Sequence, residues 1–166
     1  MVKRVVLLVG HGGVPTDFPR DLVTRLKALE GRRRATNAPM GEEERALDEK
    51  IRAWPRTPEN DPYQAGLGKL AAALAPKLGG AELVVAYNEF CGPSVEEAIA
   101  RAAASGAREI DVVPSMLTPG GVHSEVEIPE ALAAMRAAHP GVEIRYAWPF
   151  DMDRVADMLA AQVASR

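Results

Sequence analysis

Apolar residues gather into short runs separated by longer polar or mixed stretches. Four of these runs read as strands: Arg4–Val9 (RVVLLV), Glu82–Tyr87 (ELVVAY), Glu109–Val113 (EIDVV) and Val142–Ala147 (VEIRYA). Most are rich in β-branched or aromatic residues. Near-continuous apolar runs suit strands covered on both faces, as in a parallel sheet. Helical patterns lie between them. In 62–78 the leucines at 67, 70, 74 and 78 recur every three or four residues, with Pro76 expected to kink or end the helix. Ser94 is placed to cap a helix over 95–105, with Glu96 and Glu97 in its first turn and Gly106 as its stop. Helices are also expected over 124–138 and 151–165. The alternation predicts an α/β fold, a three-layer sandwich around a four-stranded parallel sheet.

One connection is too long. Roughly 70 residues separate the first two strands, where a whole βαβ unit needs about 30. The excess is polar, with a helix expected over 42–53 and a stiff proline-rich loop over 54–62. The whole chain, residues 1–166, is read as one domain with 14–60 as its elaboration.

Composition narrows the function classes. The chain has 166 residues and a formal net charge of -3, so nothing basic argues for nucleic acid. Its one cysteine, Cys91, cannot form an internal disulfide, and a cytoplasmic location is expected. Cys91 itself reads as a small apolar residue. The N-terminal apolar run is too short to cross a membrane and lacks a signal-peptide cleavage pattern. Nucleophile-elbow, dinucleotide and P-loop motifs are missing from the sequence.

In open parallel α/β sheets, ligands bind outside the carboxyl ends of the strands. His11 follows the first strand, Glu89 the second, and the loop from Pro114 to His123 the third. Glu127 lies four residues beyond His123, on the same side of a helix. Two imidazoles with one or two carboxylates form a candidate site for a divalent first-row metal, His11 and His123 being its ligands. Gly12, Gly120 and Gly121 would let backbone approach a flat substrate. Each residue also has a plain structural reading. The histidines read as polar loop residues, Glu127 as part of a solvated face, and Glu89 as a helix cap or an arginine partner. Arg32, Arg33 and Arg34 read as a solvated face or as a grip for substrate carboxylates.

These residues carry a resemblance. LLVGHGG, DPYQAGLGKLAAAL and the stretch from VVAYNEFCGPSVEEA through VVPSMLTPGGVH to HPGVEIRYA resemble the small class II tetrapyrrole chelatases, the sirohydrochlorin cobalt/iron chelatase family. The resemblance covers Val2–Gly13 and the chain from about Asp61 onward, and implies a chelatase-like fold. It implies His11 and His123 as metal-site histidines, with Glu89 and Glu127 as further catalytic residues. It also implies insertion of a divalent metal (Co²⁺, with Ni²⁺ or Fe²⁺ as alternatives) into sirohydrochlorin or a related tetrapyrrole, in cobalamin or sirohaem synthesis. No ATP and no cofactor beyond the metal substrate are expected, and a homodimer would complete the cleft. A carrier that binds metal or tetrapyrrole without turnover is the alternative. A homologue whose site has drifted is the third. This chain departs from the family pattern at Gly13, Ser124 and Glu127, and in residues 14–60. That segment would be a lid bearing Trp54, or a helical hairpin packed at an edge or in a dimer contact.

Overall fold

The computed structural model describes residues 3–165. Four parallel strands, β1 (Arg4–Gly10), β2 (Glu82–Tyr87), β3 (Glu109–Pro114) and β4 (Glu143–Tyr146), form one sheet in the order β2-β1-β3-β4. All four expected strands are present, with ends moved by one residue at most.

Period-two alternation along β1 divides the core. Val5, Leu7 and Val9 point to one face and join the buried residues of α4 (Val95–Ala104) and α5 (Ile128–Ala138), among them Ile99 and Leu132. Leu8 points to the other face and meets Leu67 and Ala71 of α3 (Pro62–Leu74). Helices thus cover both faces of the sheet, as the apolar runs require.

Local chemistry sets the helix ends. Asp61 caps α3 by accepting a hydrogen bond from the Gln64 amide at 2.9 Å, and Pro62 takes the first turn. The α-helix stops at Leu74, and Ala75–Lys77, which contains Pro76, is a single 3₁₀ turn. Ser94 and Glu97 form a reciprocal capping box at the start of α4. Asp151 caps the last helix, α6 (Met152–Ala164). No helix among the described residues is long and apolar enough to cross a membrane.

Residues 14–60 hold two helices, not the single one expected over 42–53. The additional helix, α1 (Arg20–Thr36), precedes α2 (Glu42–Arg52). It is polar on most sides, and Leu26 is its one buried residue. Its ends carry recognisable signals: Asp21 in the first turn, Arg33 and Arg34 in the last, and Asn37 in the left-handed region after it (φ 49°). Leu26 packs with Phe18, Ile51 and Phe90 in a small third core, and Trp54 leans edge-on against Phe18 at 5.0 Å. Trp54 is therefore a packing residue of the elaboration.

Candidate metal centre

The sheet's carboxyl edge builds the site. Backbone pairing of β1 and β2 runs past the strand ends. The Asn88 amide donates to the Gly10 carbonyl at 2.9 Å, and the Glu89 amide to the His11 carbonyl at 2.8 Å. His11 and Glu89 are held side by side. The chain then folds back at Phe90 (φ 57°), where the Cys91 amide donates to the Glu89 carbonyl at 2.6 Å. This three-residue turn is strained for a non-glycine residue, the kind of cost that persists where surroundings over-determine it. Gly12 (φ 97°) permits it, because a Cβ there would sit 1.8 Å from the Glu89 carbonyl oxygen. Gly12 thus serves a close backbone approach within the protein. Gly120 and Gly121 are exposed and have open space where a side chain would project.

His123 arrives from the other side. His123–Glu127 is one π-helical turn leading into α5, where an α-helix was expected from Ser124. Hydrogen bonding to the fifth residue widens the turn, so residues four apart lie nearly one above another. Glu127 Oε2 stands 2.6 Å from His123 Nδ1. The Tyr146 hydroxyl of β4 donates to the Ser124 carbonyl at 2.8 Å and ties the turn to the sheet.

The histidine and glutamate ligand atoms converge. One atom from each of His11, Glu89 and His123 lies within 4.8 Å of the others. That is close to the diameter of a first-row coordination sphere, about 4.2 Å for bonds near 2.1 Å. The two imidazoles meet edge to face with centroids 4.6 Å apart. Their tautomers follow from their partners. His11 Nδ1 faces the Gly12 carbonyl at 2.8 Å, and a carbonyl only accepts, so Nδ1 carries the proton. His123 Nδ1 faces the Glu127 carboxylate, which also only accepts. In the neutral rings this tautomer leaves Nε2 bare, and the carboxylate–histidine pair is the arrangement that orients metal ligands; the Asn88 amide nitrogen also lies 2.8 Å from His123 Nδ1. Asn88 Nδ2 donates to Glu127 Oε2 at 2.6 Å. Burial pushes the Glu127 carboxyl up, but hydrogen bonds from His123 and Asn88 and the Arg34 charge outweigh it and hold it below the usual carboxylate range.

The elaboration reaches this site. Lys27 Nζ of α1 lies 2.9 Å from Glu89 Oε2 and 3.0 Å from Glu30. Arg34 of α1 pairs with Glu127, with Glu89 Oε1 at 3.9 Å. Arg52 donates to the Cys91 and Asn88 carbonyls at 2.8 and 3.0 Å. Arg56 donates to the Gly13 carbonyl at 2.7 Å and also to the Phe90 carbonyl. The turn bearing Glu89 is therefore pinned by two arginines of residues 14–60. Beside the histidines lies a cavity of about 560 Å³ whose walls include Arg33, Arg34, Arg52, Asn88, Glu89 and Glu127. Its size suits a small-molecule site. Trp54 is not among the residues lining it.

Sequence reasoning brought His11, Glu89, His123 and Glu127 to one place, and the structure brings them together. It missed Lys27 and gave Asn88 no role. Lys27 lies on a helix that was not expected. The pattern Leu22, Val23, Leu26, Leu29 would have revealed that helix.

The family model described as CbiX matches residues 59–166, a range that includes Glu89, His123 and Glu127 and leaves out β1 and His11. A sirohydrochlorin cobaltochelatase of Methanopyrus kandleri is 39% identical over 72 residues, 43% of this chain and 50% of that protein. A sirohydrochlorin cobaltochelatase of Priestia megaterium is 35% identical over 70 residues, 42% of this chain and 22% of that protein. These matches thus span half or less of the curated relatives. Among solved structures, a CbiX protein from Marinobacter aquaeolei VT8 superposes with a TM-score of 0.55 at 18% identity, covering 98% of this chain and 99% of that one. The sirohydrochlorin chelatase SirB from Bacillus subtilis subspecies spizizenii, in complex with cobalt, superposes at 0.50 and 19% identity, over 89% of this chain and 44% of that one. At these identities the likeness concerns the fold.

Proposed function

The chain belongs to the CbiX family, and on that premise we propose that it is a metal chelatase, inserting a divalent ion into sirohydrochlorin or a closely related tetrapyrrole. The cobaltochelatase names of its relatives favour Co²⁺, with Ni²⁺ and Fe²⁺ as the other ions the donors accept. The observation that carries this reading is the convergence of ligand atoms from His11, Glu89 and His123, all within 4.8 Å of one another.

The reaction asks for three things. The ion must shed water, two pyrrole N–H protons must leave, and the ring must bend so that its nitrogens reach the metal. His11 Nε2, His123 Nε2 and a Glu89 oxygen replace waters on the ion. As each histidine releases the metal to a ring nitrogen, its Nε2 lone pair becomes free to take a pyrrole proton. Two histidines match two protons. Glu127 holds His123 in the ligating tautomer and stabilises the imidazolium that results. The proposal needs neither ATP nor a further cofactor.

Residues 1–166 form a single domain in this reading, with 14–60 as a built-in wall and not a detachable lid. The active species is a homodimer. In support, this chain covers 44% of the SirB chain, leaving room there for a second such half. The thirteen-residue α6 also buries none of its residues, while Met158, Leu159 and Val163 are 51%, 55% and 75% exposed, Leu159 and Val163 one turn apart. An isolated helix of that length is marginal in water, and a second copy would cover it. A cytoplasmic setting belongs to the same proposal.

The test is anaerobic insertion of Co²⁺, Ni²⁺ or Fe²⁺ into sirohydrochlorin, followed by absorption. Multiple turnovers above the uncatalysed rate, lost in His123→Ala, are expected. Tight binding of metal or ring without acceleration would instead make the protein a carrier.

A further inference from the structure

The cations around the site fall into two groups. Arg33 is committed to Glu44, a carboxylate 3% exposed, at 2.7 Å. Arg52 and Arg56 are committed to backbone carbonyls. These are structural. Lys27 and Arg34 differ. Their side chains are 42% and 45% exposed, and they pair with Glu89 and Glu127, the carboxylates that serve the metal centre. Arg34 also lines the neighbouring cavity.

A divalent ion entering this site meets carboxylates that already have positive partners. At 2.9 Å, Lys27 Nζ occupies one oxygen of the metal's carboxylate ligand. Two cations on one carboxylate repel each other, so the ion weakens the ammonium's hold on Glu89. The same holds at Glu127, whose support of His123 improves as Arg34 leaves. Arg34 then faces the cavity with a free guanidinium, whose planar fork matches a carboxylate.

Resting on the chelatase reading above, we infer that Lys27 and Arg34 are exchangeable counter-ions. They neutralise Glu89 and Glu127 in the metal-free protein, leave when the ion binds, and Arg34 is then handed to a ring-edge carboxylate of the tetrapyrrole. Helix α1 thereby couples the two substrates. The ion frees a cation for the ring, and by reciprocity the ring's carboxylate favours the ion. The elaboration contributes substrate specificity: it selects an acid-bearing macrocycle over a neutral one.

The experiment is calorimetric titration of the intact protein with Co²⁺ alone, at low salt. Lys27→Met leaves an unbranched apolar side chain in place and removes the charge, together with the ammonium's contact 4.4 Å from the Phe90 ring centroid. Lys27→Met and Arg34→Met are each expected to bind Co²⁺ more tightly than the parent, about tenfold for Lys27→Met, within the usual range of coupling between sites. Lys27→Arg is expected to restore the parent affinity. At saturating Co²⁺, where Arg34 is released from Glu127, the KM for sirohydrochlorin is expected to rise about tenfold in Arg34→Met. Co²⁺ affinity unchanged or weakened in both methionine variants would overturn the counter-ion role. An unchanged KM for sirohydrochlorin in Arg34→Met at saturating Co²⁺ would overturn the hand-over. His123→Ala is the separate control: if it binds Co²⁺ as the parent does, the metal-centre reading fails, whatever the lysine variant shows.

Discussion

Arg56 is the residue on which residues 14–60, the His11 loop and the Glu89 turn depend together. Its guanidinium pairs with Asp61, and the two side chains are 7% and 1% exposed. It also donates to the carbonyls of Gly13 at 2.7 Å, Ile51 at 2.9 Å, and Phe90. Arg56→Met removes the charge at similar volume. It leaves a buried carboxylate whose remaining partner is the Gln64 amide, and strips three carbonyls of a donor. Breaking one side of a buried pair costs about 3–5 kcal/mol. For a chain of this size that corresponds to a melting shift of roughly 6 to 20 °C. The double variant Arg56→Met/Asp61→Asn removes the stranded charge and keeps the helix cap. It should recover at least about 1 kcal/mol of the loss. Urea unfolding followed by circular dichroism measures both. A single variant within about 1 kcal/mol of the parent would refute the reasoning, as would a double variant no better than the single one. The first result would leave residues 14–60 open again to the reading as a lid.

Other consequences concern the site, the sheet and the assembly. Gly12→Ala should cost more than about 2 kcal/mol and weaken Co²⁺ binding, because the new Cβ meets the Glu89 carbonyl and the residue must hold a positive φ. Urea midpoints and a metal titration report both effects, and a variant with parental values would contradict the packing given for Gly12. At Asp111, hydrogen bonding from Arg145 and then from Arg4 outweighs burial and holds the carboxyl below its ordinary value. A lowered folded pKa gives stability that is present above the unfolded pKa, near 4, and lost as pH falls through the folded one. Asp111→Asn should therefore cost about 1 kcal/mol or less at pH 7, given the pair's exposure, and the gap should close below about pH 4 in pH-dependent unfolding. On α6, Leu159→Asp should lower the sedimentation mass towards that of one chain without lowering helix content, whereas unchanged mass would remove α6 from the interface.

Much of the fold was legible because burial on both faces writes continuous apolar runs. RVVLLV is β1, inside the sheet, and the equally apolar ELVVAY is β2 at its edge; the Ser94 cap could be read from the sequence, while the caps at Asp61 and Asp151 emerge from the structure. The topological rule then placed His11, Glu89 and His123 on one edge, which spacing alone could not do. Helix α1 was harder to read. It buries one residue fully, so its apolar stripe is thin and its charged faces resemble a solvated loop. The π turn at His123–Glu127 was hidden as well, since its sequence carries the same four-residue spacing as an α-helix. Pairing of Arg34 with Glu127 and of Lys27 with Glu89 links residues 93 and 62 positions apart. Only packing, not periodicity, brings such partners together.

The central claim is that His11, Glu89 and His123 jointly bind the ion. X-ray absorption of the Co²⁺-loaded protein, compared with His11→Ala, His123→Ala and Glu89→Ala, tests it most directly. The account predicts two imidazole nitrogens in the parent, one in each histidine variant, and both retained when Glu89 is replaced, with an oxygen donor lost or exchanged for water. Two imidazoles persisting in either histidine variant would contradict it.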